Sequence, residues 1–158
     1  MLLVLAALLL LLSRPKENLA SSITHNPIVS ATDTLSIPAI NLQTEVIPTG
    51  LNRENLQEVP NEIVGLYQPG PKPGERGNVV LVGHTPGIFT NLTRLKIGDI
   101  ILAGGFSYQI NKIVVYETAS FPVKEIYGPG NGFNLNIITC HGASERLVIF
   151  SNRILTDS

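Results

Sequence analysis

Leu135-Asn136-Ile137-Ile138-Thr139-Cys140, then His141-Gly142-Ala143-Ser144-Glu145, then Arg146-Leu147-Val148-Ile149-Phe150: the fold reading turns on this stretch. Two apolar runs of strand length flank a short polar interval, which is the pattern of a β-hairpin. Such a hairpin sets Cys140 and Arg146 near the same end of adjacent antiparallel strands, within reach of a long side chain. A third run, Asn78-Val79-Val80-Leu81-Val82-Gly83-His84, ends in the same way on an imidazole. Cys140 is the only cysteine, so it forms no internal disulfide and is either packing or chemistry. A thiol, an imidazole and a guanidinium at three strand ends are the parts of a cysteine acyl-transfer site.

Working outward, the chain has 158 residues, which is one domain by size. Apolar residues make up 44%, enough for a core, and charged residues only 15% with a net charge of -1. No basic field exists to attract nucleic acid, and the absence of Trp argues against base-stacking platforms. Glycine and proline punctuate short apolar runs, as in a β-rich fold with many turns.

Leu35-Ser36-Ile37-Pro38-Ala39-Ile40 reads as a first strand, with Pro38 arguing for a sheet edge. Residues 44–47 make a second, and residues 51–60 a loop with at most one helical turn. The Pro- and Gly-rich residues 68–77 form a long exposed turn. Residues 78–83 are continuously apolar, as in a buried central strand. Ile88, Phe89, Leu92 and Leu95 have the spacing of a short helix. Strands follow at residues 100–102 and 106–116 around a Gly104-Gly105 hairpin signal, and residues 117–134 read as a long loop. The expected fold class is all-β: a closed barrel of seven to eight strands with one or two short helices, closure being the economical way to remove sheet edges.

The N-terminus is different material. Residues 2–12 are an unbroken run of Leu, Val and Ala, shorter than the roughly 20 residues of a full span. Residues 1–15 are expected to be a hydrophobic signal or membrane-anchor segment, uncleaved because no clear small-residue cleavage site follows. Residues 16–34 are polar and aperiodic, a tether, and residues 35–158 form the catalytic barrel.

A thiol attacks as a thiolate, an imidazole can take its proton and later donate it to a leaving amine, and an arginine fork can stabilise the oxyanion. Taken singly each residue has a plainer reading: Cys140 as core, His84 as a hydrogen-bonded strand end, Arg146 as a surface ion-pair partner. Arg153 rivals Arg146, but it lies seven residues along the same strand, roughly 23 Å away at extended rise. Only one of the two arginines can stand at the cysteine end.

These residues, in this order, resemble a family. Thr139-Cys140 followed by Arg146 resembles the Thr-Cys strand and catalytic arginine of the sortases, and Val82-Gly83-His84 their Gly-His strand end. Phe89-Thr90-Asn91-Leu92 and Leu95-Lys96-Ile97-Gly98-Asp99 are similar to the stretch after the sortase histidine. Ile37-Pro38-Ala39-Ile40 is similar to the opening strand, and Tyr127-Gly128-Pro129 to the loop before the cysteine strand. The resemblance spans residues 35–155 and looks most like the compact class E or class F members.

The resemblance implies an eight-stranded barrel that cuts a sorting signal of the Leu-Pro-x-Thr-Gly type between Thr and Gly. Cys140 would form the thioacyl intermediate, His84 would shuttle the proton, and Arg146 would stabilise the oxyanion. The partners implied are the sorting signals of secreted proteins and an amine acceptor from a cell-wall precursor or a pilin lysine. The place implied is a bacterial membrane, with the catalytic domain on the extracellular face. No cofactor is expected, since no acidic cluster maps to a calcium site. His141 departs from the family pattern and is expected to face away from Cys140, because adjacent strand residues alternate. Two alternatives stand beside this reading: a hydrolytic cysteine peptidase using water as acceptor, and a non-catalytic cell-surface barrel that binds peptides.

Overall fold

The computed structural model describes residues 34–50, Val59 and residues 62–155. The apolar run at residues 2–12, the tether up to residue 33 and nearly all of the 51–60 loop lie outside the described residues; Thr34, expected to end the tether, already belongs to the first strand. Among the described residues no helix is long and apolar enough to cross a membrane.

Eight strands close into a barrel in the order β1-β2-β3-β4-β7-β8-β6-β5. They are β1 (Thr34–Ile37), β2 (Leu42–Thr49), β3 (Val64–Tyr67), β4 (Gly77–Val82), β5 (Ile100–Ala103), β6 (Phe106–Glu117), β7 (Phe133–His141) and β8 (Glu145–Arg153). The β2–β3 and β4–β7 pairs are parallel and the others antiparallel. One short α-helix, α1 (Val123–Tyr127), precedes β7. The all-β closed barrel expected from the sequence is the fold observed.

Five details differ from the sequence reading. β1 stops at Ile37, and Pro38 opens a 3-10 turn (Pro38–Ile40), because it has no N–H to give the ladder and its fixed φ suits the first position of a helical turn. β1 has partners on both sides, β2 and β5, so Pro38 marks a strand end and not a sheet edge. The helix expected around residues 88–95 is a series of turns with one 3-10 turn, Leu92–Arg94. Phe89, Leu92 and Leu95 still reach the core, each buried. β3 is the strand the sequence did not single out: four residues, Val64-Gly65-Leu66-Tyr67, are too few to show a period. Finally, the 117–134 segment holds a 3-10 turn (Thr118–Ser120) and α1.

Two apolar layers explain the patterning. Leu35, Val79, Leu81, Tyr108, Leu135, Ile137, Leu147 and Ile149 fill the barrel interior. A second cluster, Val80, Val82, Ile126, Ile138 and Val148, lies on the outer face of β4, β7 and β8, beneath α1. All six residues of β4 are therefore buried, alternately inward and outward, which is why Val79, Val80, Leu81 and Val82 form an unbroken apolar run. β6 carries a bulge between Ile110 and Lys112. Tyr108 and Ile110 point inward before it, whereas Ile113, opposite inward-facing Ile149, takes that face after it. The extra residue shifts the alternation by one and bends the long strand.

Ile126 is fully buried and is the helix residue that joins the outer cluster. Ile126→Ala should therefore destabilise the fold by about 2–4 kcal/mol, read as a lowered midpoint in urea denaturation. A change within error would mean that α1 does not seal this face.

Candidate active site

The site forms on the outer face of three neighbouring strands. Cys140 on β7 is directly opposite Arg146 on β8. β4 runs parallel to β7 with Val82 opposite Ile138, and the Gly83 N–H donates to the Ile138 carbonyl at 3.3 Å, so the chain beyond β4 still follows β7. Two residues past Val82, His84 comes beside Cys140. The three side chains share a cleft of about 270 Å³ with Val59, Val82, Gly83, Tyr127, Ile138 and Thr139. The sulfur is neither sealed in the core nor fully exposed. The sequence placed these groups at strand ends; the structure puts them on the barrel's outer wall, on the face that Val82 and Ile138 also line, because outward parity on β7 runs Asn136, Ile138, Cys140.

Local structure holds each group. A Cβ on Gly83 would fall 2.7 Å from side-chain atoms of Ile88 and Phe89, so only glycine lets the chain fold back tightly at His84. The Phe89 N–H closes that turn by donating to the His84 carbonyl at 3.1 Å. His84 Nε2 lies 3.3 Å from the Val59 carbonyl oxygen. A carbonyl only accepts, so this contact places a proton on Nε2. Arg146 Nη1 donates to the Glu145 carbonyl at 2.8 Å, which pins one leg of the fork of a side chain that lines the cleft.

Thr139 is a contributor whose side-chain role the sequence reading missed. It points inward, is buried, and its hydroxyl donates to the Gly83 carbonyl at 2.9 Å. It also meets the Thr85 hydroxyl at 2.7 Å. Thr139 thus ties the residues flanking His84 to the residue before Cys140. The signal was a hydroxyl directly after the apolar pair Ile137-Ile138, since a buried hydroxyl needs a partner.

Tyr127 is the second missed residue. It ends α1, packs edge-on against Tyr67 at 4.9 Å between ring centres, and lines the cleft. It also lines an adjoining groove of about 260 Å³ with Thr118, Phe121, Val123, Ile138 and Arg146. Burial, with a smaller contribution from Tyr67, pushes its phenol up to about 12, partly offset by Arg146.

The remaining sequence candidates fall where their parity dictates. His141 is opposite Glu145 on the face away from Cys140, with Nε2 and Oε2 4.0 Å apart. The expected five-residue loop is a three-residue turn, residues 142–144, because both His141 and Glu145 belong to strands. Arg153 stands at the far end of β8, 4.1 Å above the Phe106 ring and bonded to the Gly74 carbonyl at 3.2 Å. Arg146 is therefore the arginine at the cysteine end. Among the described residues no group of three or more His, Cys, Asp or Glu is placed to hold a metal ion.

The fold and cleft define a class: a closed β-barrel with one thiol, an imidazole and a guanidinium gathered on its outer wall. A family model described as the sortase domain matches residues 35–154, and the chain belongs to the sortase family. Among solved structures it is similar to sortase C1 from Streptococcus suis, with 24% identity, a TM-score of 0.64, and coverage of 80% of this chain and 74% of that one. Sortase C-1 from Actinomyces oris gives 25% identity, a TM-score of 0.61 and coverage of 78% and 71%. A Clostridium perfringens sortase D5 transpeptidase gives 22% identity, a TM-score of 0.61 and coverage of 77% and 78%. Among curated proteins none matches.

The raised phenol of Tyr127 has a stability consequence with a definite sign. A folded-state value above the unfolded one, near 10, favours the fold at lower pH, and that contribution is lost as pH climbs from about 10 toward 12. Tyr127→Phe should move the alkaline unfolding midpoint upward, followed by circular dichroism. A midpoint at or below that of the unsubstituted protein would contradict the assignment.

Proposed function

We propose that this sortase is a cysteine transpeptidase whose site is His84, Cys140 and Arg146. The observation that carries the reading is their convergence: side chains from β7, from β8 and from the chain just beyond β4, two of them directly paired in register, share one cleft. In this reading the Cys140 thiolate attacks the Thr carbonyl of a Leu-Pro-x-Thr-Gly-like sorting signal. A C–S bond forms, the carbonyl electrons move onto oxygen, and the Arg146 fork stabilises that oxyanion. Collapse breaks the Thr–Gly bond, and His84 supplies a proton to the departing amine. An amine of a cell-wall precursor or pilin then attacks the thioester, gives its proton to the imidazole, and releases Cys140. The short turn between β7 and β8 is in keeping with a compact, class E- or F-like member.

The apolar run at residues 2–12 supports a second element of the reading: the enzyme is held at a bacterial membrane with its barrel outside. Fractionation of cells expressing the full chain reads this directly, with recovery in the membrane pellet expected and recovery in the soluble fraction contradicting it.

The chemistry is tested with a quenched-fluorescent peptide carrying a sorting motif, with and without an added amine. Turnover should rise with the amine and vanish in Cys140→Ala. Turnover that survives that substitution sinks the mechanism, and indifference to the amine favours a hydrolytic peptidase. Arg146→Lys should lower kcat/KM by about 100-fold, because an ammonium cannot reproduce the fork. Arg153→Lys, far from the cleft, should alter the rate little. An equal loss there would show that the wrong arginine was chosen.

A further inference from the structure

The outer face of β4, β7 and β8 carries an unusual set of amides at the end away from Cys140. Asn78 on β4, Asn134 and Asn136 on β7, and Asn152 on β8 all have outward parity. Asn78 and Asn136 are buried, yet neither touches the cleft that holds the sulfur.

Their partners are the carbonyls of α1 and the residue after it. Asn78 Nδ2 donates to the Glu125 and Gly128 carbonyls, each at 3.0 Å. Asn136 Nδ2 donates to the Ile126 carbonyl at 3.1 Å. A helix leaves its last carbonyls without intrahelical partners, and α1 has only five residues. Five residues do not hold a helix in water. α1 exists because Ile126 is buried and because the sheet below supplies side-chain donors to its final turn.

The carbonyls also orient the amides. Since a carbonyl only accepts, the Asn78 NH2 group must face α1, which turns Oδ1 toward β7. There it accepts from Asn134 Nδ2 at 2.8 Å. Asn134 Oδ1 in turn accepts from Asn152 Nδ2 at 2.6 Å, and Asn152 Oδ1 accepts from Asn111. Four amides thus run head to tail across four strands and end on α1. The chain passes directly over them: a Cβ on Gly130 would fall 2.2 Å from Asn78 Oδ1 and 2.7 Å from Asn134 Nδ2.

We infer that Asn78 and Asn136, with Asn134 bonded behind Asn78, are positioning residues for substrate: the amides of Asn78 and Asn136 clamp the last turn of α1 and thereby set Tyr127, part of the wall shared by the cleft and the adjoining groove. The inference rests on reading that cleft as the sorting-peptide site. The clamp touches none of His84, Cys140 or Arg146. It therefore acts on how the peptide is held and not on the bond-making groups.

The test is Asn78→Asp, which keeps the shape and the acceptor facing Asn134 but replaces both donors to α1 with an oxygen. Asn134→Ala, which removes from a half-buried position the donor that holds Asn78 Oδ1 from the β7 side, serves where the first variant folds poorly. Amide hydrogen exchange should quicken at residues 123–128 in either variant. KM for the sorting peptide should rise roughly tenfold while kcat and the rate of Cys140 alkylation by iodoacetamide change less than about twofold. Unchanged exchange at residues 123–128 overturns the clamp. Quickened exchange with an unchanged KM overturns its role in substrate positioning. An unsubstituted protein that turns over no sorting peptide overturns the function reading instead, and the exchange measurement still decides the clamp.

Discussion

The register of β7 between β4 and β8 is the constraint on which the site depends. In a strand the side-chain period is two, so a slip of one residue would turn Cys140 into the barrel and bring Thr139 outward. The register is held from both sides. Leu135 and Ile137 are committed to the interior core and Ile138 to the outer cluster. Buried hydroxyls add direction: Ser151 donates to the Leu135 carbonyl at 2.7 Å, and Thr139 to the Gly83 carbonyl at 2.9 Å. Each bond is satisfied in one register only, and a slip would leave buried polar groups unpaired.

Placing the cysteine on the outer wall rather than inside solves a chemical problem. The interior is packed with aliphatic side chains and has no room for a peptide. The outer face is a shallow surface, and α1 with the segment before it raises one side of it into a cleft. The barrel supplies rigidity and the connection between β6 and β7 supplies shape. That division explains how so short a helix matters: it ends on Tyr127 in the wall of the cleft that holds the sulfur, and donors from the sheet below hold its last turn.

Much of this was legible in the sequence. Three apolar runs ending on Cys140, His84 and opening on Arg146 are strands, and the geometry of a hairpin alone sets Cys140 opposite Arg146. The barrel class followed from the number of short runs, and the contrast between Arg146 and Arg153 followed from distance along an extended strand. Less was legible where the pattern was short or displaced. β3 is too brief for periodicity, and the bulge in β6 breaks the alternation that its sequence suggests. The 117–134 segment reads as loop because five helical residues leave no amphipathic signature.

The chain by itself determined which residues alternate, where the turns fall and which reactive groups stand at strand ends, because these depend on neighbours a few residues apart. Only the tertiary structure decided that β4 and β7 run side by side in parallel, that the reactive face is the outer one, and that asparagines on separate strands meet beneath α1. Those facts join residues more than fifty positions apart. They depend on how two apolar layers share one sheet, and no local pattern of side chains records that partition.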